Sequence, residues 1–317
     1  MFKGSVPNVA LALPPLKPRR PVLELVLAAL AVLAVLAGCG SGGSSGATTS
    51  APKPAAQRSR SPDAPVGAAA TRRAPSQVRA RRVPALIPPP AAPAHSVQVP
   101  VLTYHRVAPV SAVGQLDLKV DPANFEAELA ALHAAGYHTI HQWQLFDALY
   151  RGAPLPSKPI ILSVDDGYVD DVRTILPDLR RWQMVATFFV ITGRMTEPGF
   201  LSADQIRELD RAGMDVGDHT AHHLDLRELT PQELRSETAG SRQVLEAVLG
   251  HPVYYFAYPF GAYDDAVLAA VHAAGFTLAY TTAGGITEDT TAPITMPRLH
   301  VGRDETPGGL VSVLGGQ

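Results

Sequence analysis

The 317-residue chain carries 27 Lys+Arg against 29 Asp+Glu, a formal net charge of -2 that sums two opposed segments. Residues 1–96 hold 12 Lys+Arg against Glu24 and Asp63, which is +10, whereas residues 97–317 hold 15 against 27, which is -12. An acidic globule lacks the basic groove that phosphate neutralisation demands, so composition excludes nucleic acid as the partner.

The front segment also holds 15 of the 29 prolines and a single aromatic residue, Phe2, so it cannot build a core. The globule is therefore one domain over residues 97–317, about 220 residues. Cys39 is the only cysteine, which rules out an intrachain disulfide and a Cys-based metal site. Lys17, Arg19 and Arg20 precede 13 uninterrupted apolar residues, Leu25 to Ala37. That run is short for a membrane span and suits the apolar region of a signal peptide. Leu36-Ala37-Gly38-Cys39 then resembles the lipobox of bacterial lipoproteins, which implies a signal peptide over 1–39 and lipidation of Cys39. An ordinary cleaved signal and an uncleaved anchor are the alternatives, and all three put the globule outside the cytoplasm. Residues 40–96, rich in Pro, Ala, Gly, Ser and Arg, read as a disordered linker of ~40 Å average span. Its positive charge either leans on an anionic surface or is merely solvated.

Beyond residue 97 the elements alternate. Gln98–Tyr104 reads as a strand, and Pro122–Ala135 as a helix with Asp121 as N-cap. The apolar run Pro159–Val164 predicts a buried strand that ends at Asp165-Asp166-Gly167, followed by a helix over Asp171–Trp182 and a strand over Val185–Ile191. Ser202 caps a helix to Ala212, and Met214–Gly217 is a short strand. Thr230–Leu249 is the longest helix, with Pro231 in its first turn and Gly250 at its end. Val253–Ala257, Thr277–Thr281 and Leu299–Val301 read as strands and Tyr263–Ala274 as a helix. Strands alternating with crossover helices imply a parallel sheet, doubly wound or closed; with six or seven units, closure is expected.

In parallel α/β folds, chemistry collects at the C-terminal ends of strands. Asp165 and Asp166 follow one such strand; adjacent carboxylates there repel unless a cation or proton neutralises one, or the pair merely caps a turn before Gly167. His219 and His223 follow another, four residues apart, a spacing that lets two imidazoles share a metal ion. Together with Asp166 they supply one carboxylate and two imidazoles with coordination positions left open, as in catalytic rather than structural zinc sites. Non-haem iron would take the same set, but that class places its carboxylate two residues after the first His, where this chain has Ala221.

These residues carry a family resemblance. Ser163-Val164-Asp165-Asp166-Gly167 resembles the first motif of the polysaccharide deacetylases (carbohydrate esterase family 4, the NodB-homology fold), and His219-Thr220-x-x-His223 matches the second in order and spacing. Tyr258-Pro259-Phe260-Gly261 resembles the third, and Pro100–His105 is similar to the start of an extracellular branch. The resemblance spans about residues 98–301 and implies a distorted (β/α) barrel. It also implies Asp166, His219 and His223 as metal ligands, Asp165 as general base and the Phe260 amide as an oxyanion donor, with Tyr258 and Pro259 beside it. A cation on one carboxylate would leave its neighbour free to take a proton from activated water.

The third motif normally begins with an Arg that orients the base, and here that position is Ala257. Arg298 is the candidate for that charge, or else a structural residue. The fourth motif, an Asp-Trp signature, has no counterpart between Ala279 and Gly285, and His300 is the one candidate for the general acid that the fifth motif supplies. His222 is structural or substrate-facing; His105 lines the pocket or is a satisfied histidine at a strand end. The expectation is a monomeric, metal-dependent hydrolase removing N-acetyl groups from a glycan such as peptidoglycan or poly-N-acetylglucosamine. It would work outside the cytoplasm, lipid-anchored or secreted, with Zn2+, or alternatively Co2+ or Ni2+. The alternatives are a glycan-binding lipoprotein without turnover, or an O-acetyl esterase using the same site.

Overall fold

The computed structural model describes residues 85–88, 94–109 and 117–315. The expected signal peptide, Cys39 and most of the expected linker lie outside the described residues.

In chain order the elements begin with β1 (Ser96–Gln98), β2 (Val101–Tyr104), β3 (Arg106–Val107), β4 (Lys119–Val120), α1 (Pro122–Ala134), β5 (His138–Thr139) and α2 (Gln142–Arg151). Next come β6 (Pro159–Val164), a π-turn (Asp171–Ile175) running into α3 (Leu176–Arg181), β7 (Thr187–Val190), α4 (Ala203–Arg211) and β8 (Asp215–Asp218). The chain continues with α5 (Pro231–Arg235), α6 (Ser241–Leu249), β9 (Tyr255–Ala257), α7 (Asp265–Ala273), β10 (Leu278–Tyr280), β11 (Thr287–Asp289), β12 (Leu299–His300) and α8 (Pro307–Gly315).

The expected helix starts are built as the sequence dictates. Asp121 accepts from the Ala123 amide, Ser202 and Thr230 form capping boxes with Gln205 and Glu233, and Gly250 takes a left-handed C-cap at φ 77°. The long helix over Thr230–Leu249 is not uniform: a π-turn at Ser236–Gly240 separates α5 from α6. The strand expected over Gln98–Tyr104 splits likewise, because Pro100 has no amide to give a ladder, and β1 pairs elsewhere.

The principal sheet runs β10-β9-β8-β7-β6-β2-β12, with β5 also on β6, and every pairing in it is parallel. It curls into a half-barrel. The strap Met296–Val301 joins its edges: the Met296 amide donates to Ala279 O of β10 at 2.9 Å, and the Val301 amide to Thr103 O of β2 at 2.9 Å. The expected closure is thus achieved by a largely irregular segment.

Strand alternation sorts the apolar residues into two layers. Leu102, Leu162, Val164, Phe188 and Phe256 face outward against the helices, whereas Val101, Ile161, Phe189, Ala257 and Tyr280 face the barrel interior. The interior is stoppered at the N-terminal end of the strands by α2, whose Leu145, Phe146 and Leu149 join that inner layer. Packing also begins earlier than residue 97. Leu86 is 1% exposed within the inner layer and its carbonyl accepts the Thr277 hydroxyl at 2.8 Å, while Ser96 already belongs to β1. The expectation of linker throughout residues 40–96 is corrected at this point, because a branched apolar side chain finds a core to enter. Among the described residues, no helix is long and apolar enough to cross a membrane.

Candidate metal centre and catalytic cleft

A cleft of about 560 Å³ opens at the C-terminal ends of the strands. Its floor is made where β6 and β8 run out. Asp165 and Asp166 leave β6; His219 follows β8, and the loop to His223 is folded by short side-chain bonds. Asp218 Oδ1 accepts the Thr220 amide at 2.7 Å, and Thr220 Oγ1 accepts the His223 amide at 2.9 Å. The backbone here is strained: Asp166, Thr220, His223 and Phe260 all adopt left-handed φ of 55° to 78° without being glycine. Each costs about 1–3 kcal/mol and persists only where the surroundings over-determine it.

That strain brings Asp166, His219 and His223 together. Their ligating atoms lie within 4.8 Å of one another, with Asp166 Oδ1 at 3.6 Å from His219 Nε2 and 3.7 Å from His223 Nε2. His219 Nδ1 donates to Ala257 O at 2.7 Å, so the lone pair sits on Nε2 and faces Asp166. Burial lowers the His219 pKa to about 3 and that of His223 as well, keeping both imidazoles neutral as metal ligation requires. Burial, reinforced by the charge of Asp165 and only partly offset by Arg194 and Arg298, pushes Asp166 up to about 7, and a divalent cation would favour its charged form. The donor set fits a zinc-like ion: two nitrogens and one oxygen, oriented, deprotonated and open toward the cleft.

Asp165 is treated differently. Burial alone would raise its pKa, but the Arg298 guanidinium and then His219 overcome that and hold the carboxyl below the ordinary range. Arg298 grips it with two bonds, Nη1 to Oδ1 and Nη2 to Oδ2, both 2.8 Å. The guanidinium is itself 3% exposed, donates from Nε to Thr281 O at 3.0 Å, and lies 5.6 Å and 5.9 Å from the Phe189 and Tyr280 ring centres. Arg298 thus supplies a guanidinium to Asp165 from the interior, where position 257 carries only Ala.

The remaining expected residues divide. His300, exposed at the end of β12, lines the cleft, its ring edge-on to His105 at 5.5 Å. Burial lowers the His105 pKa to about 4, and its Nδ1 has no hydrogen-bond partner among the described residues. Phe260 is 63% exposed on the rim, edge-on to His223 at 4.7 Å. Tyr258 reaches the cleft wall, but its hydroxyl donates to Ile294 O at 2.9 Å and its ring packs on Phe256. Pro259 is buried and serves the turn rather than the cleft surface. His222 is bound at Nδ1 to Glu237 at 2.6 Å and is absent from the cleft lining, which favours the structural alternative.

Sequence reasoning missed Asp218, which is fully buried and folds the histidine loop; its place one residue before His219, at a strand end, was the available signal. It also missed Tyr168, Arg194 and Thr281 in the lining, which no motif marks.

Residues 152–279 match the family model described as polysaccharide deacetylase. Over 188 residues the chain is 29% identical to YxkH of Bacillus subtilis strain 168, provisionally named a polysaccharide deacetylase; the match covers 59% of this chain and 66% of that protein. Among solved structures, the Streptococcus pyogenes deacetylase PplD in complex with acetate is similar with a TM-score of 0.65 and 26% identity, over 69% of this chain and 99% of that one. The polysaccharide deacetylase BC0361 from Bacillus cereus is similar with a TM-score of 0.62 and 29% identity, over 69% of each chain. IcaB from Ammonifex degensii is similar with a TM-score of 0.59 and 26% identity, over 69% of this chain and 96% of that one. Together these matches support a polysaccharide deacetylase domain of the NodB type.

Proposed function

We propose, from the premise of a polysaccharide deacetylase domain, that this chain is a metal-dependent hydrolase that removes N-acetyl groups from an N-acetylglucosamine-containing polysaccharide. The observation that carries the reading is the convergence of Asp166, His219 and His223 beside an Asp165 already ionised by Arg298. A binding protein has no use for a second, separately held carboxylate next to a cation site. That PplD is described in complex with acetate supports acetate as the product released in such a cleft.

Asp166, His219 and His223 would hold the cation, for which zinc suits the donors and cobalt or nickel would substitute. When bound, the ion supplies Lewis acidity toward water and the acetamide carbonyl. Asp165, oriented by Arg298, accepts the proton from the attacking water at a free lone pair of its carboxylate. The Phe260 amide, at the cleft rim, donates to the developing oxyanion. His300 delivers a proton to the departing amine from the opposite wall. His105, kept neutral by burial, leaves the neighbourhood of His300 without a second positive charge. Outside the domain, the Leu36–Cys39 pattern supports lipidation at Cys39 and work at the outer face of a membrane. Loss of labelled fatty acid in Cys39→Ala tests that part.

The central test follows acetate release from an N-acetylglucosamine oligomer by metal-stripped full-length protein, with zinc added back, alongside Asp165→Asn and His223→Ala. Zinc-restored turnover that falls by about 10²–10⁴-fold in Asp165→Asn, with zinc still bound, fits the base assignment. His223→Ala should lose zinc itself, read by calorimetry. Zinc binding without acetate release from any glycan would move the binding-protein or O-acetyl ester reading ahead.

A further inference from the structure

We infer that the cleft is built for a glycan bearing a carboxylate near the acetamide under attack, and that Arg194 is the residue that selects it. The inference rests on the deacetylase reading above and extends it to substrate class.

Two arginines line the cleft, Arg194 and Arg298, and a third, Arg106, lies behind its Tyr168; two of the three are spent on partners. Arg298 is clamped to Asp165, and Arg106 pairs with Asp170 at 2.8 Å while lying over the Tyr168 ring at 4.6 Å. Arg194 lines the cleft with no carboxylate in direct contact among the described residues, and its charge acts on Asp166 and His223 across the cleft. Its guanidinium lies 4.8 Å over the Phe200 ring, which stacks on Tyr168 at 4.7 Å. The ring restrains the guanidinium while no hydrogen bond of its N–H groups is found among the described residues, which leaves donors for a planar carboxylate.

The backbone under Arg194 is equally fixed. The Thr192 amide donates to Thr220 O at 3.1 Å and the Gly193 amide to Ala221 O at 2.8 Å, so this turn is zipped to the histidine loop. Only glycine permits that approach, since a Cβ at residue 193 would stand 2.4 Å from Ala221 O. Below it, Thr192 Oγ1 and Ser241 Oγ share a buried bond of 2.8 Å. Arg194 is therefore held at a constant offset from His219 and His223, as a substrate-register residue must be.

Charge balance points the same way. Residues 97–317 carry -12, which by itself would repel an acidic polymer. Inside the cleft, Asp165 and Arg298 cancel, a divalent cation would exceed the charge of Asp166 by one, and Arg194 adds another. The loaded cleft is a positive spot in a negative globule, a pattern that draws one anionic group to one place.

The test compares two disaccharides, one with a lactyl-ether carboxylate beside its N-acetylglucosamine and the same compound with that carboxyl reduced to the alcohol. Zinc-loaded wild type, Arg194→Met and Arg194→Lys are assayed for acetate release, and binding to the Asp165→Asn variant, with and without Arg194→Met, is followed by calorimetry. A charge-assisted contact predicts a kcat/KM ratio of about ten or more for acid over alcohol, falling to about one in Arg194→Met and partly kept in Arg194→Lys. Equal turnover of the two compounds by wild type, or a ratio untouched in Arg194→Met, overturns the inference and leaves the deacetylase reading standing. If no acetate is released from either compound, that reading fails, and binding decides the inference alone: tighter binding of the acid that vanishes with Arg194→Met upholds it, and equal binding overturns it.

Discussion

The two ends of the half-barrel share strands and yet solve opposite problems. Around the start of α2, at the N-terminal end, the buried polar groups are paired. Gln142, at the start of α2, takes the Tyr280 hydroxyl on Oε1 and gives Nε2 to Thr187 Oγ1, while its amide goes to Asp215. At the C-terminal end the polar groups are buried but left wanting: burial pushes Asp166 up to about 7, His105 Nδ1 lacks a partner, and four residues hold left-handed backbone. Satisfaction marks the surroundings of α2 and dissatisfaction the working end. A buried polar group that is costly by itself becomes useful when a ligand is what completes it.

The largest effect should come from disturbing the buried Arg298–Asp165 pair at the open end. Arg298→Met leaves Asp165 a buried, unpaired charge, which should cost about 3–5 kcal/mol in denaturant unfolding and remove most activity. In the double variant with Asp165→Asn, stability should largely return; a loss that stays additive would mean that Arg298 acts through packing over Phe189 and Tyr280 instead. At the sealed end, Gln142→Leu strands the Tyr280 and Thr187 hydroxyls and should cost about 1–3 kcal/mol, with zinc affinity unchanged. A weakened zinc site in that variant would show that the two ends are not independent.

The smallest effect is a pH response, read as the melting temperature of metal-free protein. Burial raises Glu288, whose oxygens have no partner among the described residues, to about 8 from an ordinary 4.5. Its folded form favours the proton, so its contribution is full below about 4.5 and is lost as pH rises through 8. His219, lowered to about 3 from 6.5, contributes fully above 6.5 and loses that contribution as pH falls toward 3. Asp166 and Asp218, raised to about 7 and about 8, add to the same alkaline loss. Wild type should therefore melt lower at pH 8.5 than at pH 6.5, and Glu288→Gln should reduce that slope in part while leaving the acid side unchanged.

The candidate metal site was legible because Asp166 and His219 follow strands with readable apolar runs, and because the spacing of four from His219 to His223 is a local signal. The helix caps at Asp121, Ser202 and Thr230 were legible for the same reason, as each bond spans two or three residues. α2 carried a readable stripe in Leu145, Phe146 and Leu149, but nothing local says that a helix will stopper a barrel rather than cover it. Arg298 was visible only as a candidate, since its partner lies 133 residues away and the pairing depends on how the strap Met296–Val301 crosses between the sheet edges. Arg194 and Asp218 gave no motif at all; their importance comes from what the fold sets beside them.

That strap has a consequence of its own. Arg298 and His300 stand two positions apart, and both line the cleft, one buried against Asp165 and the other exposed at the mouth. In extended chain, a separation of two keeps side chains on one side, and a separation of one or three sends them to opposite sides. The spacing is therefore a parity condition: a single inserted or deleted residue at Leu299 would turn one of the pair out of the cleft, whatever the chemistry of the residue gained or lost. Variation at this edge of the barrel should be tolerated in side-chain identity at Leu299, but not in length.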